Sequence, residues 1–164
     1  MKKFQTKATI IVYENESELS AEDQRLLALS REAATRAYAA YSHFQVGAAL
    51  LLENGEIVTG NNQENSAYPS GLCAERTAAF YASSRFPGVA FKKLFISAIN
   101  PKAVLARPIP PCGACRQSLL EYEQRNGQPI IVLMAGQQGE IWQAPSIESL
   151  VPLSFSDDFL PATE

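Results

Sequence analysis

The chain has 164 residues with 14 Lys and Arg against 17 Asp and Glu, a net charge of −3. That length suits one domain with a substantial core. No apolar run approaches the ~20 residues that span a bilayer, and no basic cluster marks a polynucleotide grip, which phosphate neutralisation would require. The expectation is a single cytoplasmic domain over 1–164, with a small-molecule substrate, no nucleic-acid partner and no membrane partner.

Ala8 to Tyr13 reads as a short strand followed by a polar stretch. Its approach to Glu14, Glu16 and Glu18, with no small-residue cleavage site, argues against a signal peptide. Ser20 with Asp23 resembles a capping box that carries Asp instead of Glu or Gln. Leu26, Leu27, Leu29, Ala33, Ala34, Ala37 and Tyr38 then give a helical apolar face. Val46 to Leu52 and Ile57 to Thr59 flank Glu53-Asn54-Gly55-Glu56, a hairpin signal. Asn61 to Gly71 is polar and irregular, as a binding loop would be. A helix follows over Cys73 to Arg85, a strand over Lys93 to Ala98, and a loop punctuated by Pro101, Pro108, Pro110 and Pro111. A second helix runs from near Cys112 to before Gly127. Strands at Ile130 to Met134 and Glu140 to Gln143 and a short helix near Ser146 to Leu150 complete the pattern. Strands interleaved with helices predict an α/β sandwich.

The three cysteines fit no disulfide framework, which uses an even count. Cys112 and Cys115 are three apart at a predicted helix start, where free backbone N–H groups and the helix dipole favour thiolate. Cys73 opens another helix. Three thiolates leave one tetrahedral position free, the pattern of a catalytic zinc as opposed to a structural one. The single histidine, His43, has no ligand-like spacing to a partner and reads as a turn histidine.

Glu75 lies two residues after Cys73. A carboxyl there can take a proton from a zinc-activated water and pass it to a pyrimidine ring and its leaving amine; this Cys₃-plus-Glu constellation is the one described for zinc deaminases. Three thiolates on one Zn²⁺ sum to −1, and Arg76 and Arg116 are placed to donate to the sulfurs and offset that charge.

In order and spacing, four segments resemble the small homotetrameric cytidine deaminase family: Tyr-Ser-His-Phe-Gln-Val-Gly-Ala-Ala at 41–49, Asn-Gln-Glu-Asn at 62–65, Cys-Ala-Glu-Arg-Thr at 73–77 and Pro-Cys-Gly-Ala-Cys-Arg-Gln at 111–117. The resemblance covers about Tyr41 to Phe155. It implies a three-layer α/β/α sandwich around a mixed five-stranded sheet, with 1–40 as an N-terminal strand and helix extension and 156–164 as an irregular tail. It implies one Zn²⁺ per chain on Cys73, Cys112 and Cys115, with Glu75 as proton shuttle and Arg76 moderating the thiolates. Asn62 and Glu64 would bind the ribose 3′-hydroxyl, and the Ala74 backbone N–H would contact the base. Phe44 would pack beside the pyrimidine and Tyr68 would line the pocket. Phe155, in a segment similar to the family's Leu-Leu-Pro-x-x-Phe ending, would stack on the base in a neighbouring subunit of a homotetramer.

The implied reaction is hydrolytic deamination of cytidine and deoxycytidine to uridine and deoxyuridine in pyrimidine salvage. Two departures stand out: Gln63 replaces a β-branched apolar residue, and the interval from Cys73 to Cys112 is several residues longer than the family's, in the loop at 101–111. Competing readings are deamination of a modified cytosine nucleoside, a zinc-stabilised binding module, which Glu75 and the missing fourth ligand oppose, and a polynucleotide editor, which the absence of a basic patch opposes.

Overall fold

A computed structural model describes residues 1–156 and 159–160; most of the tail expected at 156–164 lies outside the described residues. In chain order the elements are β1 (Ile11–Tyr13), α1 (Ala21–Thr35), β2 (Gln45–Leu52), β3 (Ile57–Asn61), α2 (Ala74–Arg85), β4 (Phe91–Ile99), α3 (Gly113–Asn126), β5 (Ile131–Ala135) and β6 (Ile141–Ala144), with 3₁₀ turns at Glu16–Glu18, Tyr68–Ser70 and Glu148–Leu150.

Both faces of the sheet are covered, which explains why its central strands are apolar throughout instead of alternating with polar residues. Along β2, Ala48, Leu50 and Leu52 join Leu94, Ile96, Val132 and Met134 in the core under α2 and α3. Ala49 and Leu51 join Phe95, Leu133 and Ala135 beneath Leu26 and Leu27 of α1. The period-2 alternation of a strand thus divides one apolar run between two cores.

The sheet is mixed and has six strands in the order β1-β6-β5-β4-β2-β3, which corrects the expected count of five. The extra strand comes from the N-terminal extension: Ile11, Val12 and Tyr13 pair antiparallel with Gln143, Trp142 and Ile141. This pairing covers the β6 edge, whose backbone groups would otherwise be unpaired.

α1 begins at Ser20, whose Oγ accepts from the Asp23 N–H at 3.1 Å. The Asp23 carboxylate accepts from the Ser20 hydroxyl at 2.6 Å and from the Lys93 ammonium at 2.8 Å. The start signal was therefore sound, but the shorter acid ties the helix to β4 as well. α1 ends at Thr35, short of Ala37 and Tyr38; Tyr38 instead forms an isolated bridge with Gln63. The polar stretch after β3 is closed at its ends by reciprocal backbone bonds of 2.9 Å between Gln63 and Leu72.

Two connections set up the site. β3 and β4 both run antiparallel to β2, and so parallel to one another, with α2 joining them. β4 and β5 are parallel neighbours joined by α3. Both helices therefore start at the same edge of the sheet, at the carboxyl ends of β3 and β4, where ligand sites form in α/β sheets.

Gly60 allows α2 to sit close to β3. A Cβ there would lie 2.5 Å from both the Ala74 carbonyl oxygen and the Ala78 nitrogen. Gly60→Ala should destabilise the fold by about 1–3 kcal/mol through overpacking, measured by urea unfolding; an unchanged midpoint would show that α2 can yield at no cost.

Candidate active site

Cys73 and Cys112 are the N-cap residues of α2 and α3. Both have extended backbone angles (φ −74°, ψ 156° and φ −67°, ψ 165°), and neither side chain caps its own helix. Their sulfurs are therefore free to point at a shared ligand while their carbonyls start the helices, accepting from Thr77 and Arg116 at 3.0 Å. Cys115, fully buried in the first turn of α3, supplies the third thiol.

The three sulfurs lie within 4.8 Å of one another. Cys73 and Cys112 are separated by 3.8 Å and Cys112 and Cys115 by 3.5 Å. A tetrahedral zinc with Zn–S near 2.3 Å needs sulfurs about 3.8 Å apart, so these residues fit that metal in spacing and in softness. No fourth Cys exists, and His43 is an exposed turn residue at φ 57° whose N–H bonds the Ala39 carbonyl at 3.0 Å.

The thiol cluster is electrostatically unequal. Cys73 is drawn down to about 5, chiefly by the thiol of Cys115 donating to it and further by Arg76. Cys115 is pushed up, first by that same bond to Cys73 and then by burial. Of this pair, ionisation therefore favours Cys73 over Cys115. Arg76 places Nη2 3.8 Å from the Cys73 sulfur, while its buried Nε has no protein partner.

Arg116 behaves differently from the sequence reading. Its Nε donates to the Pro111 carbonyl at 2.7 Å and its Nη1 to the Leu150 carbonyl at 3.0 Å. It braces the loop before Cys112, and both of its bonds go to backbone carbonyls, not to the sulfurs.

Glu75 is only 4% exposed. Burial pushes its carboxyl up to about 7, with the Cys73 thiolate adding to the shift. A carboxyl poised there can hold and release a proton near neutrality.

Cys73, Glu75, Arg76 and Cys112 line a cavity of about 430 Å³. Asn62, Glu64, Phe44 and Tyr68 line it too, so eight of the expected site residues share one space. Ala74 is buried at the start of α2 and Cys115 lies beneath the lining. Phe155 is elsewhere: its ring is exposed and stacked on Phe159, with centroids 5.8 Å apart, and Gln117 donates to its carbonyl at 3.0 Å.

Asn62 and Glu64 also have structural work. Asn62 Oδ1 accepts from the Val46 N–H at 2.8 Å, and its Nδ2 donates to the Phe44 carbonyl at 2.9 Å. Glu64 accepts from the N–H groups of Tyr41 and Ser42 at 2.8 and 3.2 Å and from the Ser42 hydroxyl. The Ser42 hydroxyl, followed by these N–H groups, holds the Glu64 carboxyl below its usual range.

Ser42, Val46, Leu72, Ile96, Ile109 and Pro110 complete much of the wall. None was singled out from sequence. Ser42 and Pro110 stood inside or beside recognised motifs, but Ile96 and Leu72 look like ordinary core residues until the fold is known.

Three thiols and an adjacent buried carboxyl define a zinc site of the deaminase class. Residues 20–128 match the family model for the cytidine and deoxycytidylate deaminase zinc-binding region, and the chain belongs to this family. It is 43% identical over 138 residues to a cytidine deaminase of Sporosarcina psychrophila, covering 84% of this chain and 93% of the relative. It is 39% identical over 133 residues to one of Halalkalibacterium halodurans, covering 81% and 93%. The crystal structure of cytidine deaminase from Burkholderia pseudomallei superposes with a TM-score of 0.70 at 34% identity, covering 84% of this chain and 100% of that one.

Cys112→Ala should lower bound zinc from about one equivalent per chain to near zero, because two thiols at neutral pH hold the ion far more weakly than three. Metal analysis after dialysis checks this; full retention would exclude Cys112 as a required ligand.

Proposed function

We propose that the chain catalyses hydrolytic deamination of cytidine and deoxycytidine, releasing ammonia, with Glu75 moving the protons. The observation that carries this reading is the buried Glu75 carboxyl beside three clustered thiols, with Glu75, Cys73 and Cys112 lining a cavity of about 430 Å³, a volume within the usual small-molecule range.

Zn²⁺ held by Cys73, Cys112 and Cys115 supplies Lewis acidity that brings the pKa of water near 7. Glu75 takes the proton of the attacking water, delivers it to N3 of the ring, and serves the amine as it leaves from C4. Cytidine and water thus become uridine and ammonia. Arg76 offsets the charge on Cys73, and the Ala74 N–H at the start of α2 faces the base.

The ribose end follows from unused hydrogen-bonding capacity. An ionised carboxylate offers about four acceptor positions and a carboxamide nitrogen two protons. Glu64 uses three and Asn62 Nδ2 uses one. A sugar 3′-hydroxyl can donate to the remaining position of Glu64 and accept from the remaining proton of Asn62. Phe44 packs beside the pyrimidine, and Tyr68, edge-on to Tyr41 at 6.1 Å, stands by the cavity. The 3′-hydroxyl is common to ribose and deoxyribose, which is why both nucleosides are included.

A 5′-phosphate would be poorly served. Among the described residues Arg76 is the one cation lining the cavity, and it is directed at Cys73, while Glu64 adds negative charge. Nucleosides are therefore favoured over nucleotides. The working form is a cytoplasmic homotetramer in which Phe155 from one subunit reaches the base in another. The exposure of Phe80, Tyr81, Leu153 and Phe155 supports an assembly that covers apolar surface.

Glu75→Gln should keep zinc while losing ~10²–10⁴-fold or more of turnover; near-normal turnover in a zinc-replete variant would refute the mechanism. An ultraviolet assay should show cytidine and deoxycytidine consumed, with cytosine at least ~10²-fold slower because it leaves the sugar-binding groups unpaired, and deoxycytidine monophosphate slower than deoxycytidine because its phosphate meets no free cation in the cavity. Cytosine turning over as fast as cytidine would remove the role given to Asn62 and Glu64.

A further inference from the structure

The stretch between β4 and α3 (residues 100–112) is long and contains no helix or strand. It ends in Ile109 and Pro110, which line the cavity, and Cys112, a thiol of the cluster. A wall on a long irregular segment needs something to hold it.

Gln137, in the turn between β5 and β6, does this. Its Oε1 accepts from the backbone N–H of Asn100 and of Leu105, both at 3.1 Å. Those two bonds use both lone pairs of the carboxamide oxygen and clasp the loop at two points. The Gln137 N–H donates to the Leu105 carbonyl at 2.7 Å, and the Gln138 N–H joins it at 3.2 Å.

The turn also makes room for the loop. A Cβ on Gly136 would sit 2.4 Å from the Leu105 carbonyl oxygen, and one on Gly139 2.6 Å from that of Ala106. Past the clasp, Arg107 lies over the Trp142 ring at 5.4 Å, and Pro108 is buried. Arg116 then holds the Pro111 carbonyl on the other side of Ile109 and Pro110. The wall is thus pinned from both ends, and neither Gly136 nor Gln137 lines the cavity.

We propose that Gln137 is a positioning residue for the substrate pocket: by clasping Asn100 and Leu105 it seats Ile109 and Pro110 as the wall against which the nucleoside packs. This rests on the cytidine reading above. Gln137 touches no reacting atom, so its removal acts on binding and leaves the chemistry at Glu75 in place.

The experiment compares wild type, Gln137→Leu, Gln137→Glu, Ile109→Ala and the double variant Gln137→Leu/Ile109→Ala. Gln137→Leu keeps the shape and removes the acceptor; its KM for cytidine should rise about tenfold, as expected for losing such bonds, with kcat within about twofold and zinc retained. Gln137→Glu keeps an acceptor for both N–H groups and should restore KM. In the Ile109→Ala background the Leu substitution should add less than about twofold, because the wall it seats is already gone. The single tryptophan, Trp142, reports the seating without substrate, and its emission should shift in Gln137→Leu and return in Gln137→Glu.

An unchanged KM in Gln137→Leu, failure of Gln137→Glu to rescue, or full additivity with Ile109→Ala would overturn the proposal. If Gln137→Leu does not fold, Gly136→Ala, which keeps the Gln137 side chain but pushes Leu105 away from it, must raise KM in its place; a normal KM there overturns it too. A wild-type protein inactive on cytidine would refute the function reading instead, while the Trp142 emission of the variants still decides whether the clasp exists.

Discussion

The meeting of two helix starts is the constraint around which this molecule is organised. Each places a thiol at an N-cap, where the first N–H groups of a helix lack intrahelical partners. A cluster of three thiols within 4.8 Å resists full ionisation. One sulfur, Cys73, ionises more readily, and its neighbour Cys115 holds its proton more tightly in consequence. A soft divalent cation relieves that conflict, and the spacing of the sulfurs suits zinc. Arg76 and the two helix dipoles act in the same direction as the cation, so the site is electrostatically balanced only when metal, guanidinium and thiolates are considered together.

The rest of the fold serves to bring those starts together. The crossings through α2 and α3 put both at one edge of the sheet, and α1 covers the opposite face with its own core. Gly60 sets how near α2 can come to the sheet, and hence where Cys73 and Glu75 stand. Depth in the core gives Glu75 its unusual proton affinity. The same carboxyl on an exposed first turn would be a permanently ionised partner for the helix dipole.

The polar groups of the cavity wall are held in place by bonds within the chain. Asn62 extends the hydrogen bonding of β2 with its side chain, and Glu64 gathers the turn at Tyr41 and Ser42. Groups so constrained lose little freedom when a ligand arrives, which is the condition for using few polar contacts selectively. Across the cavity, Ile109 and Pro110 depend for their position on Gln137 and Arg116, which lie outside the motifs' expected roles.

The three-layer form of the sandwich and the places of Asn62, Glu64, Phe44 and Tyr68 were expected from the family resemblance, whereas residue type and spacing alone predicted an α/β chain and the Cys73, Cys112 and Cys115 set with its Glu75. These were legible because metal ligation and proton transfer demand particular side chains at short spacings, which local order preserves. Other features were not legible. The sixth strand depends on Ile11–Tyr13 meeting β6, some 130 residues away in sequence. Arg116 bonds the carbonyls of Pro111 and Leu150 in place of a sulfur, and Gln137 acts on a loop more than 30 residues before it. Backbone carbonyls and N–H groups belong to every residue, so no side-chain pattern announces which of them a guanidinium or carboxamide will hold. The chemistry of the site was therefore determined by residue type and spacing, while its walls, braces and proton affinity were decided only by the burial and long-range contacts of the folded chain.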